Sequence, residues 1–114
     1  VELYDKEGCL VDINTKNLDI FGIAAKEDVL GINFFENPIV PEEIRRNVRN
    51  GQEQSFRLDY PFDRLGGYYP SRKKGSVQIY TKVTMLYDMY GELVNAPVHA
   101  VVKHPESSKV RSRW

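Results

Sequence analysis

Hydrophobic and polar positions along this chain change their period several times, and each change marks a new element. From Val1 to Asn14 the order is a short apolar stretch, a turn-like Asp5-Lys6-Glu7-Gly8, and a second stretch, Cys9-Leu10-Val11-Asp12-Ile13. That order predicts two short strands in a hairpin with Gly8 at a turn position. Thr15 to Gly22 and Lys26 to Gly31 follow, each ending in glycine, and predict brief helices closed by a left-handed residue. Leu18 and Phe21 share a face of the first, and Val29 and Leu30 supply the buried side of the second. Pro41 to Gly51 is the strongest helical pattern, with proline in the first turn, Glu42 and Glu43 near the positive end of the dipole, and arginines toward the other end. Ile44 and Val48 form its single apolar stripe. Glu42 stands four residues before Arg46, so the charges read as a solvated face.

After Gly51 the period becomes two. Phe56, Leu58, Tyr60 and Phe62 alternate with Ser55, Arg57, Asp59 and Pro61, which predicts a strand with one buried face. A longer alternation runs from Val77 through Ile79, Thr81, Val83 and Met85 to Tyr87 and predicts a second strand. The loop between them carries Gly66-Gly67 and the basic run Arg72-Lys73-Lys74, and reads as solvated. Met89-Tyr90-Gly91-Glu92 makes a turn, and Val94, Ala96, Val98, Ala100 and Val102 form the inner face of a last strand. Pro97 has no N–H to give, so it belongs at an edge or with its nitrogen turned from the ladder. Strands first, short helices next and three longer strands last make the fold class α+β, an antiparallel sheet with the helices on one face.

Several stretches in this order resemble the PAS family. Asp5 to Asn14 looks like its opening hairpin. Ile20-Phe21-Gly22 followed by Lys26-Glu27-Asp28-Val29-Leu30-Gly31 looks like its short-helix stretch, and Leu86 to Glu92 like the turn between its last strands. The resemblance covers residues 1–104 and implies a five-stranded antiparallel sheet cupped over several short helices. It also implies a sensory role in signal transduction, beside a histidine kinase, cyclic-nucleotide enzyme or transcription factor. The flavour is that of bacterial two-component sensor kinases. One departure concerns the end of the domain, where Val102-Lys103-His104-Pro105-Glu106 replaces the family's Asp-Ile-Thr type of coupling motif. Residues 105–114 read as a linker or tail.

Composition narrows the function classes. The 114 residues suit one domain, and 16 basic side chains balance 16 acidic ones for a net charge of zero. Nucleic acid and anionic bilayers are therefore not expected partners. No apolar run approaches the roughly 18 residues a spanning helix needs, so a soluble protein is expected, and a single cysteine, which allows no internal disulfide, makes the cytoplasm its expected compartment. Cys9 is the single cysteine and reads as filler.

The candidate chemistry is sparse. Some PAS domains hold flavin through a cysteine after a Gly-x-Asn stretch; here Gly31-Ile32-Asn33 is followed by Phe34, which offers no thiol. The helix at Pro41 to Gly51 contains no histidine, so a haem ligand is not expected either. His99 points outward by parity and His104 lies near the end, and neither has partners for a metal. No nucleophile with its base, phosphate cradle or inward carboxylate pair is legible, so an enzyme is not expected. What remains is a core that is either filled or hollowed for a small apolar ligand. The candidate lining is Phe34, Phe35, Ile39, Ile44 and Val48 from the helical side, with Phe56, Leu58, Val77, Ile79 and Val98 from the sheet. The outer face of the sheet, with Tyr80, Leu86 and Val101, is a candidate surface for a homodimer or an adjoining signalling domain.

Overall fold

In a computed structural model that describes residues 1–103, one antiparallel sheet carries the fold. Its strands are β1 (Glu2–Asp5), β2 (Leu10–Ile13), β3 (Gln54–Pro61), β4 (Ser76–Val83), β5 (Leu86–Tyr87) and β6 (Leu93–Val102). The path across it is β2-β1-β6-β4-β3, with the two-residue β5 pairing only with β6. Helices α1 (Thr15–Phe21) and α2 (Glu42–Arg49), with short 3-10 turns at Lys26–Asp28, Phe34–Glu36 and Phe62–Arg64, complete the elements. The alternation of period two places Ile79, Val83, Ala96, Val98 and Ala100 in the core, where they pack with Phe21, Val29, Phe34 and Val48.

The alternation from Val77 to Tyr87 is not one strand. β4 stops at Val83, and the remainder becomes β5, opposite Asn95 and Leu93. The break lies across from Pro97. The Thr84 amide still donates to the Pro97 carbonyl at 3.0 Å, but proline has no N–H to complete the pair. Met85 turns inward, and its amide is taken by Glu53 Oε2 at 3.0 Å. Pro97 thus sits in the central strand, not at an edge, with its nitrogen facing the gap between β4 and β5. Beyond the gap the hairpin tip leaves the core, so Val94, Leu86 and Tyr87 are exposed.

The short helices are held by their caps. Asn14 accepts from the Asn17 amide at 3.0 Å to open α1, and Gly22 closes it at φ +70°. Lys26 to Gly31 forms only a 3-10 turn, which buries Val29 completely and leaves Leu30 exposed. The arginines of α2 are not all solvated. Arg45 donates to the Phe35 carbonyl at 2.8 Å and Arg49 lies 4.5 Å from the Phe35 ring centroid, tying the helix to the segment that precedes it.

Candidate functional site

The hairpin β1–β2 and the segment after Gly31 build one wall of the interior. Leu10 donates to the Ile32 carbonyl and Phe34 to the Gly8 carbonyl, each at 2.8 Å. Asn33 Oδ1 then caps the next turn by accepting from the Phe35 amide at 2.8 Å. These bonds fix Phe34 beneath the sheet, its ring centroid 5.6 Å from Tyr4 in an edge-on contact. Val98, Ile79 and Ala100 face it from β4 and β6.

A small cavity of about 50 Å³ remains there. Five of the ten candidate residues, Phe34, Phe56, Leu58, Ile79 and Val98, line it. Phe35 and Val48 instead line a separate cleft of about 70 Å³ beside Val83 and Met85, which Phe34 and Val98 also border. Ile39, Ile44 and Val77 are partly buried against the core and line neither space.

Polar side chains share the cavity. Glu2, Tyr4, Asn37, Tyr60, Tyr68 and Tyr69 all border it, and of these the alternation of residues singles out only Tyr60. Glu2 is buried because its register sets it opposite Ile13 on β2 and Val98 on β6, both inward-facing. Its Oε1 accepts from the Tyr4 hydroxyl at 2.7 Å and its Oε2 from Asn17 Nδ2 at 2.9 Å. Burial lifts the Glu2 carboxyl above its ordinary pKa, and these two hydrogen bonds oppose the rise. The Tyr60 and Tyr69 hydroxyls lie 2.9 Å apart; burial raises Tyr60 to about 12 and pushes Tyr4, Tyr68 and Tyr69 upward as well.

The loop between β3 and β4 is the outer wall of this space. Tyr68 donates to the Asn33 carbonyl, Ser71 Oγ to the Phe21 carbonyl at 2.6 Å, and the Arg72 amide to the Gly22 carbonyl at 2.8 Å. Arg72, Lys73 and Lys74 are exposed as expected, but Leu65 and Tyr69 are core residues. The signal available in the sequence was the aromatic pair Tyr68-Tyr69 directly after two glycines.

On the opposite side of the sheet, Tyr80 and Val101 face outward on neighbouring strands, paired in register, and Leu86 lies apart on β5. The Arg57 guanidinium lies 5.4 Å from the Tyr80 ring and donates to its hydroxyl at 3.1 Å, while Lys103 Nζ lies 5.8 Å from the same ring. A shallow groove of about 580 Å³ runs between Arg57, Tyr80, Lys82, His99 and Val101.

A sheet in the order β2-β1-β6-β4-β3, closed on one face by short helices around a small cavity, is the architecture of PAS and LOV domains. No family model and no curated protein sequence matches the chain. Solved structures do. The dark structure of the blue-light photoreceptor Aureochrome1 LOV is 17% identical, with 98% of this chain and 80% of that chain covered at a TM-score of 0.68. The PAS domain of BvgS from Bordetella pertussis is 19% identical over 97% of this chain and 81% of that one, at 0.60. The PAS domain of an HTR-like protein from Haloarcula marismortui is 13% identical over 88% and 78%, at 0.56. The chain has the PAS fold.

Proposed function

We propose that the chain is a sensory and signal-relay module of a larger signalling protein, acting on an adjoining domain through the outer face of its sheet. The observation that carries this reading is the Tyr80 groove. An exposed tyrosine and valine lie there among Arg57, Lys82, Lys103 and His99. Such a surface complements an amphipathic segment that carries carboxylates. A symmetric homodimer through the same patch would set like charges against each other, so an adjoining segment is the better occupant. A cytoplasmic setting beside a bacterial two-component kinase belongs to this proposal and is supported by the sequence motifs.

The test compares wild type with Tyr80→Glu and Val101→Glu in the full parent protein, by crosslinking and hydrogen exchange across the outer face at low and high salt. Protection of β3, β4 and β6 that falls about tenfold in either variant, and falls with salt, is the expected result. A sheet face covered by nothing at any salt sinks the proposal.

A second reading, a ligand held between helices and sheet, is favoured by the cavity. Its size limits the occupant, since an apolar cavity of roughly 150 Å³ is what accommodates benzene, three times the volume present. Neither a flavin ring system nor a porphyrin fits beside the buried Phe34, which also lacks the thiol of a flavin adduct.

A further inference from the structure

We propose that β3 is an interface, its open edge pairing antiparallel with β3 of a second copy of this chain about a two-fold axis at Leu58. The two ends of the sheet are finished differently. At β2, Leu10 exchanges backbone hydrogen bonds with Gly31 and Ile32, each at 2.8 Å, so that edge is covered. β3 ends the other side of the path, with no strand beyond it among the described residues. Two contacts fix which way its backbone points. The Phe62 amide donates to the Gly75 carbonyl at 2.9 Å, continuing the register that sets Pro61 opposite Ser76, and the Lys103 amide donates to the Gln78 carbonyl at 2.9 Å on the β6 side of β4. Bonds alternate in direction along a strand, so Gln54, Phe56, Leu58 and Tyr60 turn their amides and carbonyls to β4, while Ser55, Arg57 and Asp59 turn theirs to the open side. Pro61 belongs to the open set, where its missing N–H costs no bond to β4. An open edge of this kind is a template for another strand.

The residues on this edge complement themselves in one register. An axis at Arg57 sets that arginine against its own copy, and an axis at Asp59 does the same to the aspartate. With the axis at Leu58, Arg57 faces the partner's Asp59, Asp59 faces the partner's Arg57, and the Ser55 amide meets the carbonyl of the partner's Pro61. Opposite charges directly across stabilise a strand pair and like charges oppose it. Asp59 is exposed and forms no ion pair among the described residues. Arg57 gives one N–H to the Tyr80 hydroxyl at 3.1 Å and keeps further donors. On the inner side, Leu58 meets the partner's Leu58 on the axis. Ile79, opposite Leu58 on β4, is 1% exposed, whereas Leu58 and Phe56 are only partly buried, because their strand has no neighbour on its open side. This contact uses the edge of the sheet and is independent of what covers its outer face.

Sedimentation equilibrium on the whole chain, with hydrogen exchange of single amides followed by NMR across a concentration series, tests the pairing. Expected is a dimer in which the Arg57 and Asp59 amides gain about tenfold protection as concentration rises, while the Leu58 amide, already bonded to β4, changes little. Arg57→Asp and Asp59→Arg should each weaken the dimer about tenfold or more by setting like charges across the axis. An equimolar mixture of the two variants should associate again, since every charge then faces its opposite. Should a variant misfold, amide protection in the wild type decides alone. A chain that stays monomeric overturns the proposal and leaves the charges as protection for the edge. A dimer whose Arg57 and Asp59 amides stay unprotected overturns it too, as does a mixture that associates no better than its components.

Discussion

Glu2 and Tyr4 lie two residues apart on β1, both buried on the same face, and the Tyr4 hydroxyl donates to Glu2 Oε1 at 2.7 Å. A strand of four residues thereby delivers a carboxylate and its donor into the core together. Asn17, positioned by the Asn14 cap of α1, supplies the second donor, so helix and sheet meet through this carboxylate.

Stability should fall as pH rises through the range of Glu2. A carboxyl whose folded pKa is raised holds its proton longer in the folded state, so the folded protein binds more protons between the two values. The contribution is therefore fully present below the ordinary value of 4.5 and lost as pH climbs through the folded one. The tyrosines around the cavity do not ionise in this window. Denaturant unfolding of wild type and Glu2→Gln from pH 4 to 8 checks the effect, with the Val1 ammonium, whose pKa burial lowers from 8.0 and Glu2 raises, as the second group coupled to it. A difference between the two that does not change with pH would show that Glu2 does not titrate differently on folding.

Tyr60 and Tyr69 should behave as a coupled pair. Replacing one by phenylalanine leaves a buried hydroxyl facing a ring edge and costs about 1–3 kcal/mol, while the double replacement costs less than the sum. A double-mutant cycle measured by urea unfolding checks this, and strict additivity would remove the hydrogen bond at 2.9 Å as the link.

Phe34 closes the interior, so Phe34→Ala should cost about 3–5 kcal/mol and open the cavity. The enlarged space should then accept benzene or indole, seen as a rise in Tm absent from wild type. A loss under ~1 kcal/mol would mean that neighbouring side chains collapse into the gap.

The two glycines that end the segments before and after Ile23 should differ in tolerance. Gly31 has φ +92° with open space around it, so Gly31→Ala should cost about 1 kcal/mol from the backbone alone. Gly22 has φ +70°, and an added Cβ would stand 2.5 Å from Lys73 Cγ and 2.9 Å from the Lys73 amide nitrogen. Gly22→Ala should therefore cost at least ~1 kcal/mol more and loosen the loop between β3 and β4. Equal costs, by thermal unfolding with proteolysis at the loop, would remove the close approach as a constraint.

Much of the fold was legible along the chain because it depends on local period and capping. The hairpin at Gly8, the helix at Pro41 to Gly51 and the alternations beginning at Phe56, Val77 and Val94 all state their structure within a few residues. The class of sheet and helices, and its likeness to the PAS fold, followed from their order. The break in the strand at Thr84 did not, because it arises from Pro97 on a different strand.

The cavity depended on tertiary structure for a related reason. A four-residue strand reading Glu-Leu-Tyr-Asp has no decisive parity, and its apolar Leu3 argues against burying Glu2. Only pairing with β2 and β6 on both sides chooses the face, because Ile13 and Val98 are already committed inward. Tyr68 and Tyr69 lie in a loop with no period at all, and they reach the core through contacts with Asn33 and Tyr60, 35 and 9 residues away in sequence. Local chemistry along the chain thus determined which elements form and in what order; long-range pairing decided that a carboxylate and four tyrosines border one small space.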